Sequence, residues 1–423
     1  MNIQTLKGFR DFLPKEARKR QYVINTFKKV FESYGFEPLE TPALEYEELL
    51  MGKYGEEGDK LMYRFEDNGK RRVALRYDQT VPTARVVAQY QNDLPMPFKR
   101  YQIQPVWRAE NTQKGRYREF LQCDIDIIGI STPLADAELL TAVASSIKKL
   151  GFKKFKILIN DRNVFKQLTD RGTVEVKNLP DVIRTVDKIK KIGREGVLNE
   201  LGNKGYSTEV ASYILQSLET QKVTPLIAEI FKYMEDMGVD STCYEFYPLL
   251  ARGLDYYTGI IFEVEIEGYT AGSVCGGGRY DNLIGMFAGK KVPATGCAFG
   301  FDRIMEAMEE ANVFPANLET TKVLVTVFSE ELANKSLEIA SRLRAQDINT
   351  EIYLEPSATM EKQLKYADAK NVPYVVIVGE QEIANNTVIL KDMQKREQKQ
   401  ISIEELVQDL LPARQGDSET SSE

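Results

Sequence analysis

The sequence predicts an α+β protein in which antiparallel strands and helices enclose a helical segment and precede a terminal α/β domain. Three observations predict this class. Residues 98–129 contain two alternating segments joined by a polar turn, which is the pattern of a long antiparallel hairpin. Residues 165–237 are lysine-rich and show helical rather than strand periodicity. From residue 322 onward, short apolar segments alternate with helical ones, which indicates a βαβ unit with parallel strands.

The N-terminal region begins with an amphipathic helix over 15–34, which Gly35 ends. A strand is predicted over 36–46. Its Pro38 and Pro42 indicate an edge or interface position, because proline cannot donate to a β-ladder. The same periodicities predict further elements: a hairpin over 63–76, helices over 79–90, 136–150, 301–311, 332–345 and 359–369, and strands over 256–267, 322–328, 348–354 and 373–379.

Composition excludes several classes of protein. With 423 residues, 43% of them hydrophobic and 28% charged, the chain can bury a sizeable core over two or three domains. A net charge of -7 argues against indiscriminate nucleic-acid binding, although local basic patches remain compatible with a nucleic-acid partner. The first residues lack the apolar segment of a secretory signal, and no apolar run approaches the roughly 20 residues of a membrane span.

Cysteine and histidine content constrain the chemistry. The four cysteines are scattered without a CxxC pair, so zinc and redox motifs are unsupported and a reducing cytoplasm is expected. The chain contains no histidine. That removes every mechanism that needs an imidazole base or a histidine-ligated metal. Any catalysis must therefore rest on Arg, Asp, Glu, Gln, Tyr and backbone groups.

The long hairpin carries the most chemical information. Its first strand delivers Arg108 to the turn, where Gly115 permits the reversal. Its second strand places Gln122, Asp124 and Asp126 on one face. Guanidinium at the turn end, with amide and carboxylate further along, suits a ligand that has phosphate at one end and ammonium at the other. Taken alone, the pattern is equally typical of an edge hairpin with a solvated face.

Two further segments place polar groups at strand ends. LRYDQT delivers Asp78 and Thr80 to a helix start, where Thr80 is also a typical N-cap. ARGLDYYTG places Arg252, Tyr256 and Tyr257 before a strand. Tyrosine offers a flat face and one hydroxyl to a heteroaromatic ligand, but an aromatic pair is also typical of a hydrophobic core.

Two glycine-containing segments complete the set. CGGGRYDNL, over 275–283, permits close approach of backbone to a ligand or another chain, and it matches neither a Walker loop nor a dinucleotide fingerprint. GCAFGFDRIM, over 296–305, runs from strand to helix with Arg303 in the first turns. Arg303 is either a surface residue or a polyphosphate contact.

Together these segments resemble the histidyl-tRNA synthetase family of class II aminoacyl-tRNA synthetases. Pro42 in its strand resembles motif 1, VWRAENTQKGRYREF resembles motif 2, and GCAFGFDRIM resembles motif 3. RGLDYY and GGGRYD are similar to two peptides peculiar to this family, and LRYDQT matches its strand-to-helix segment. The resemblance runs from about residue 6 to residue 411.

The resemblance implies a class II synthetase-like antiparallel sheet flanked by helices, a helical insertion, and a C-terminal α/β domain of the anticodon-binding type. The expected domains are a catalytic domain over 1–164 and 241–318, the insertion over 165–240, the anticodon-binding domain over 319–414, and a disordered tail over 415–423.

The resemblance also implies roles for individual residues. Arg108 would grip the ATP α-phosphate and the amino-acid carboxylate, and Arg252 would take the α-phosphate position where relatives place a metal ion. Glu110 would lie near the adenine, Arg116 would contact the triphosphate or the tRNA acceptor end, and Arg303 would bind the γ-phosphate. The implied histidine-binding residues are Asp78, Thr80 and Gln122 for the α-amino and carboxylate groups, and Asp126 and Tyr257 for the imidazole. Tyr256 is a further implied histidine-binding residue. Asp78 and Asp126 stand where many members have glutamate.

The implied activity has two steps, formation of histidyl-adenylate from histidine and ATP, and transfer of histidine to the 3′ end of tRNA(His). ATP would enter as its Mg²⁺ complex, without a resident metal or prosthetic group, in a cytoplasmic homodimer with no membrane association. Three alternatives stay open: a catalytically inactive synthetase-like regulatory subunit of ATP phosphoribosyltransferase, a synthetase for another amino acid, and a scaffold protein. RGLDYY with GGGRYD argues against the second, and arginines in matching motifs argue against the third.

Overall fold

The computed structural model describes residues 3–53, 55–112, 116–252 and 256–411, without the side chains of 55–57. The chain forms two compact units, Met1–Phe314 and Pro315–Glu423. Within the described ranges, none of the helices has the length and apolar character needed to span a membrane. The predicted reversal at Gly115, the centre of the RGLDYY segment and the predicted disordered tail over 415–423 lie outside the described residues.

Along the described residues of the two units, helices alternate with strands or follow one another directly. Their bounds are α1 (Pro14–Ser33), α2 (Glu47–Leu50), α3 (Gly55–Lys60), α4 (Thr80–Gln89), α5 (Pro133–Lys149), α6 (Gln167–Asp170), α7 (Leu179–Val186), α8 (Ile189–Asn203), α9 (Thr208–Glu219), α10 (Pro225–Asp236), α11 (Gly285–Ala288), α12 (Phe301–Glu310), α13 (Ala333–Arg344), α14 (Met360–Ala369), α15 (Glu380–Ala384) and α16 (Ile403–Leu410).

Within the described residues, the strands form three sheets. Their bounds are β1 (Glu37–Pro38), β2 (Leu44–Tyr46), β3 (Arg64–Glu66), β4 (Arg72–Leu75), β5 (Phe98–Trp107), β6 (Glu119–Ile128), β7 (Phe155–Asp161), β8 (Tyr244–Phe246), β9 (Ile260–Ile266), β10 (Cys275–Arg279), β11 (Ala294–Gly300), β12 (Val323–Val325), β13 (Thr350–Ile352), β14 (Tyr374–Ile377), β15 (Thr387–Asp392) and β16 (Glu397–Ser402).

The main sheet has the order β1-β5-β6-β11-β10-β9-β7-β8. Its inner pairings are antiparallel, and only the edge pairs β1–β5 and β7–β8 run parallel. The predicted long hairpin is β5–β6, in which Arg100 stands opposite Asp126. An antiparallel sheet flanked by helices is therefore confirmed.

One face of this sheet packs against α1, α5 and α12 and forms the main hydrophobic core. Phe27 and Phe31 of α1 stack with ring centroids 5.4 Å apart, and Phe299 of β11 lies 4.7 Å from Phe27. From β6, the buried side chains of Cys123 and Ile125 enter the same core. Because side chains alternate along a strand, the polar residues of β6 must face the other side of the sheet.

The prediction of one strand over 36–46 is wrong in one respect, because the strand is broken in two. Its first part, β1, pairs with β5 at the edge of the main sheet, and its second part, β2, belongs to a small sheet of order β2-β4-β3. Pro42 lies between the two parts. Pro42 has no N–H to donate to a ladder. The carbonyls of this segment are held by Arg76, whose Nη1 donates to those of Thr41 at 2.7 Å and Pro42 at 3.4 Å.

The segment predicted as a helical insertion is helical, and most of it has a hydrophobic core of its own, which includes Phe165, Val186 and Leu215. Its last helix, α10, instead buries Ile227 and Ile230 in the main core. Several of its basic side chains pair with acids: Lys188 with Glu200 at 2.6 Å, Lys190 with Glu265, and Arg194 with Glu219.

The second unit contains the predicted parallel strands, in the order β13-β12-β14, and helices connect these strands along the chain. An antiparallel hairpin, β15–β16, extends this sheet beyond the prediction. The β16 segment EQKQIS is polar and mostly exposed, so it lacks the apolar alternation by which strands are recognised.

Candidate active site

A cavity of about 490 Å³ opens on the polar face of the main sheet. Side chains from β6, β10, β11 and the starts of α4 and α12 line it. The structure brings every predicted site residue to this cavity: Asp78, Thr80, Arg108, Glu110, Arg116, Gln122, Asp126, Arg252, Tyr256, Tyr257 and Arg303. Aromatic side chains among the lining residues leave the cavity open rather than filling it.

Arg108 follows the last residue of β5 and is held by aromatic groups. Its Nε donates to the carbonyl of Tyr77 at 3.1 Å, and its guanidinium carbon lies 4.3 Å from the Tyr77 ring centroid and 5.2 Å from that of Phe120. Within the described ranges, no carboxylate forms an ion pair with Arg108. Arg108 itself lines the cavity.

Arg252 lies against the strands β9 and β10. Its Nη1 donates to Glu263 at 3.0 Å, and its guanidinium carbon is 5.6 Å from the Tyr257 ring centroid. Burial opposes its charge, but the neighbouring Tyr257 and Glu263 raise the pKa of Arg252 above its ordinary value. The position of the guanidinium requires glycine at 276, because a Cβ there would lie 2.0 Å from Arg252 Nη1.

Arg303 projects from the first turn of α12, and its Nη1 donates to the carbonyl of Ser273 at 2.8 Å. Beside it, Asp302 is the centre of a charged cluster. Asp302 accepts from Arg10 at 2.9 Å and from Arg20 at 3.1 Å. The guanidinium of Arg10 also lies 3.2 Å from the ring centroid of Tyr117, so the N-terminal segment contacts both the motif 2 and the motif 3 regions.

Glu110 and Arg116 face each other across the polar turn of the hairpin. Arg116 Nη1 lies 3.4 Å from Glu110 Oε2, and the Arg116 side chain is more than half exposed. The carbonyl of Glu110 accepts from Arg118 Nε at 3.2 Å, which ties the turn to β6. Arg116 is therefore the most accessible cation at the mouth of the cavity among these residues.

The start of α4 presents Asp78 and Thr80 to the cavity. Thr80 is the first residue of α4 rather than its N-cap, and Asp78 Oδ1 accepts from the backbone N–H of Val81 at 3.2 Å. Gln79, the residue between them, donates to the carbonyl of Gln122 at 3.2 Å and so joins the helix start to β6. The oxygen Oε1 of Gln122 is buried and accepts no hydrogen bond in the part of the chain that the structure describes.

Asp126 lies on the cavity floor and is buried. Oδ2 of Asp126 pairs with Arg100 Nη2 at 2.6 Å, and Oδ1 accepts from the hydroxyl of Tyr280. Burial raises the pKa of Asp126, whereas Arg100 and Tyr280 oppose that rise. A side chain at Gly296 would occupy this place, since a Cβ there would lie 1.7 Å from Asp126 Oδ1.

Tyr256 and Tyr257 pack against each other with centroids 4.7 Å apart, and Tyr280 lies 6.0 Å from Tyr256. They belong to small hydrophobic clusters and also line the cavity. The core interpretation of this pair is therefore confirmed, and its contact with a heteroaromatic ligand stays a prediction. Burial raises the pKa of Tyr280 well above its ordinary value, so its hydroxyl keeps the proton that it donates to Asp126.

Sequence reasoning missed Arg100, Glu263 and Tyr280. Tyr280 lies in the glycine-rich segment, which was singled out for its glycines rather than its tyrosine. Glu263 is, with Glu265, one of two acidic residues in a strand whose other residues are apolar, a signal that could have identified it. Arg100 lies opposite Asp126, a pairing that depends on the register of the hairpin.

Comparisons with known proteins agree with this geometry. The "Histidyl-tRNA synthetase" family model matches residues 8–304, and the "Anticodon binding domain" model matches residues 322–411. The chain is 39% identical to a histidine–tRNA ligase of Cytophaga hutchinsonii, over 96% of this chain and 98% of the relative. It is 40% identical to that of Wolinella succinogenes, over the same shares of the two chains.

A crystal structure of histidyl-tRNA synthetase from Nostoc sp. PCC 7120 superposes with a TM-score of 0.86, at 30% identity, and the match covers 97% of this chain and 99% of that one. The family model covers well over half of the chain, and both curated relatives are matched over nearly their whole length. The chain therefore belongs to the histidyl-tRNA synthetase family.

Proposed function

We propose that this protein joins histidine to tRNA(His) in two steps, with ATP–Mg²⁺ as the substrate that drives the first. Membership of the family and the names of its relatives support ligase activity, which makes the protein an aminoacyl-tRNA synthetase. The observation that carries the proposal is the convergence of four arginines and a group of acidic and phenolic side chains on one cavity.

The arginines form the nucleotide end of the proposed site. Arg108 and Arg252 would bind the α-phosphate, Arg108 would also bind the histidine carboxylate, and Arg303 would bind the γ-phosphate. Glu110 would lie near the adenine, and Arg116 would contact the triphosphate or the tRNA acceptor end. Guanidinium groups suit this task because their donors match the geometry of phosphate oxygens.

The opposite end would bind histidine. The buried Asp78, together with Thr80 and Gln122, would hold the α-amino and carboxylate groups. The imidazole would contact Asp126 and the two tyrosines Tyr256 and Tyr257. A carboxylate accepts hydrogen bonds from imidazole N–H groups, and aromatic rings pack on its flat face.

The first step needs no base from the protein. The carboxylate of histidine is ionised at neutral pH, and one of its oxygens attacks the α-phosphorus. The bond from the α-phosphorus to the oxygen that bridges to the β-phosphate breaks, and pyrophosphate leaves with Mg²⁺. Catalysis then consists of alignment and of charge stabilisation by Arg108 and Arg252, which is coherent in a chain without histidine.

In the second step, a hydroxyl of the 3′-terminal ribose of tRNA attacks the carbonyl carbon of the adenylate. The bond from that carbon to the phosphate oxygen breaks, AMP leaves, and the hydroxyl proton passes to solvent. The catalytic domain would consist of residues 1–164 and 241–318. The insertion over 165–240 would lie near the acceptor stem, and the domain over 319–414 would read the anticodon, in line with the family model that matches 322–411.

The protein would act in the cytoplasm as a homodimer, with the segment around Pro42 near the interface. The apolar side chains of Leu44, Tyr46 and Phe65 on the small sheet support this proposal, since each is more than 40% exposed. Clustered exposed apolar groups are typical of surfaces that bind another protein.

The alternative of a catalytically inactive regulatory subunit of ATP phosphoribosyltransferase is less well supported. Such paralogues usually lack the terminal domain and degrade motif 2. In this chain the anticodon-binding model matches 322–411, and Arg108 and Arg116 both line the cavity.

Pyrophosphate exchange with ATP, measured separately with each of the common amino acids, tests the function. The proposal predicts exchange with histidine alone. Binding of histidine without exchange would favour the regulatory subunit, and exchange driven by another amino acid would overturn the substrate assignment.

A further inference from the structure

Beneath the histidine end of the cavity lies an arginine that has no part in the activity described so far. Arg100 is fully buried on β5 and does not line the cavity. Its Nη2 lies 2.6 Å from Asp126 Oδ2, and its Nη1 donates to Gln102 at 3.3 Å. A guanidinium cannot lose its proton in a protein, so this position always carries a positive charge.

The charge of Arg100 is balanced by the acid that faces the ligand. A buried charge without a partner is strongly unfavourable, so the pair favours the ionised form of Asp126. Each oxygen of Asp126 is fixed from the protein side, Oδ2 by Arg100 and Oδ1 by the hydroxyl of Tyr280. A carboxylate oxygen has two acceptor positions, so Asp126 still has acceptor capacity for a ligand in the cavity.

Other titratable groups face Asp126 from the elements packed around it. Asp78 comes from the start of α4, Asp124 from the same strand, and Cys297 from β11. After burial itself, the charge of Asp78 raises the pKa of Asp126, and Arg100 is the cation that opposes this rise. Without Arg100, the group nearest the proposed imidazole site would hold its proton to a higher pH.

We propose that Arg100 is a positioning residue for histidine recognition, which keeps Asp126 ionised and oriented so that it accepts a hydrogen bond from an imidazole N–H. This inference rests on the proposed function and adds a specificity determinant outside the cavity wall. An amino acid without an N–H at that place would leave the remaining acceptor position of a buried carboxylate unfilled, which disfavours its binding.

The test uses Arg100→Met, which keeps an unbranched stem and removes the charge, and Arg100→Lys, which keeps the charge and removes the planar fork. Lys99→Met is the matched control. Lys99 is the neighbouring strand residue and pairs with Glu138 at 2.8 Å, away from the cavity lining. Exchange is measured with the full-length protein while histidine and ATP are varied in turn.

For Arg100→Met we expect the KM for histidine to rise about thirtyfold, the scale of one lost hydrogen bond to a charged group, with the KM for ATP unchanged. Arg100→Lys should give an intermediate histidine KM, and Lys99→Met should match the parent. The acidic limb of kcat/KM for histidine should move to higher pH in Arg100→Met. The imidazole of free histidine titrates equally in all variants, so this difference reports on the protein.

Equal changes in the KM for histidine and for ATP, or an unchanged pH profile in Arg100→Met, would show a merely structural role and overturn the proposal. If Arg100→Met does not fold, the Arg100→Lys variant tests the proposal. A raised KM for histidine with an unchanged KM for ATP supports the proposal, and parental values of both KM refute it. The parent protein distinguishes a failure of this inference from a failure of the proposed function. Failure of the parent to exchange with histidine contradicts the function itself.

Discussion

The glycine at position 276 gives a sharp test of whether the exact place of Arg252 matters. A methyl group at Gly276 would lie 2.0 Å from Arg252 Nη1 and 2.8 Å from its Cζ, where ordinary contacts begin at 3.4 Å. In Gly276→Ala the guanidinium of Arg252 must therefore move by more than about 1 Å from its present place beside Glu263 at the cavity. Because the obstructing atoms are the far end of a flexible side chain, the fold itself should survive.

A misplacement of about 1 Å in a positioning group costs on the order of a hundredfold in rate, which corresponds to about 2.7 kcal/mol. We expect a loss of that size in histidine-dependent pyrophosphate exchange, with little change in melting temperature. Gly202→Ala is the matched control, since Gly202 is an exposed residue of α8 whose added methyl group would contact nothing within 4 Å.

A double-mutant cycle identifies the cause of the loss. Arg252→Ala alone should nearly abolish exchange while the protein stays folded, because it removes the cation from the α-phosphate. In that background the methyl group of Gly276→Ala has space, so it should add no further loss when residual exchange is measured at high enzyme concentration. Exchange by Gly276→Ala within about threefold of the parent, or losses that simply add, would refute the reasoning.

Three further predictions concern separate features of the protein. Arg303→Ala should raise the KM for ATP about tenfold and leave the histidine KM and the melting temperature nearly unchanged, since its described anchor is one hydrogen bond to Ser273; a loss confined to histidine would contradict its assignment. Burial raises the pKa of Asp124 well above its ordinary value, so the contribution of this carboxyl to stability is present at low pH and is lost as the pH rises toward the folded-state pKa. The melting temperature of Asp124→Asn relative to the parent should therefore increase from about pH 5 to about pH 8. A difference in melting temperature that stays constant with pH would refute this. Affinity for tRNA(His), measured by filter binding, should fall linearly with the logarithm of salt concentration, and an affinity independent of salt would exclude binding through phosphate contacts.

The polar face of the hairpin could be predicted because a strict period of two places Gln122, Asp124 and Asp126 together in any register. The contact of Arg100 with Asp126 could not, because it depends on which residues of the two strands stand opposite each other. That register depends on the length and shape of the turn, which alternation alone does not give.

Other differences have equally local causes. The strand through Pro42 breaks because proline cannot continue a ladder, and a side chain, Arg76, replaces the missing backbone bonds. The helix α10 has an apolar stripe that suits any core, so its sequence does not say that Ile227 packs in the main core rather than with the neighbouring helices. Tertiary packing decides such cases.

A crystal structure with a non-hydrolysable analogue of histidyl-adenylate would test the central claim directly, since it would show where each end of the reaction intermediate lies. We predict the phosphate-like group between Arg108 and Arg252 and the imidazole against Asp126 and Tyr257. A reversed orientation, or binding outside this cavity, would contradict the account.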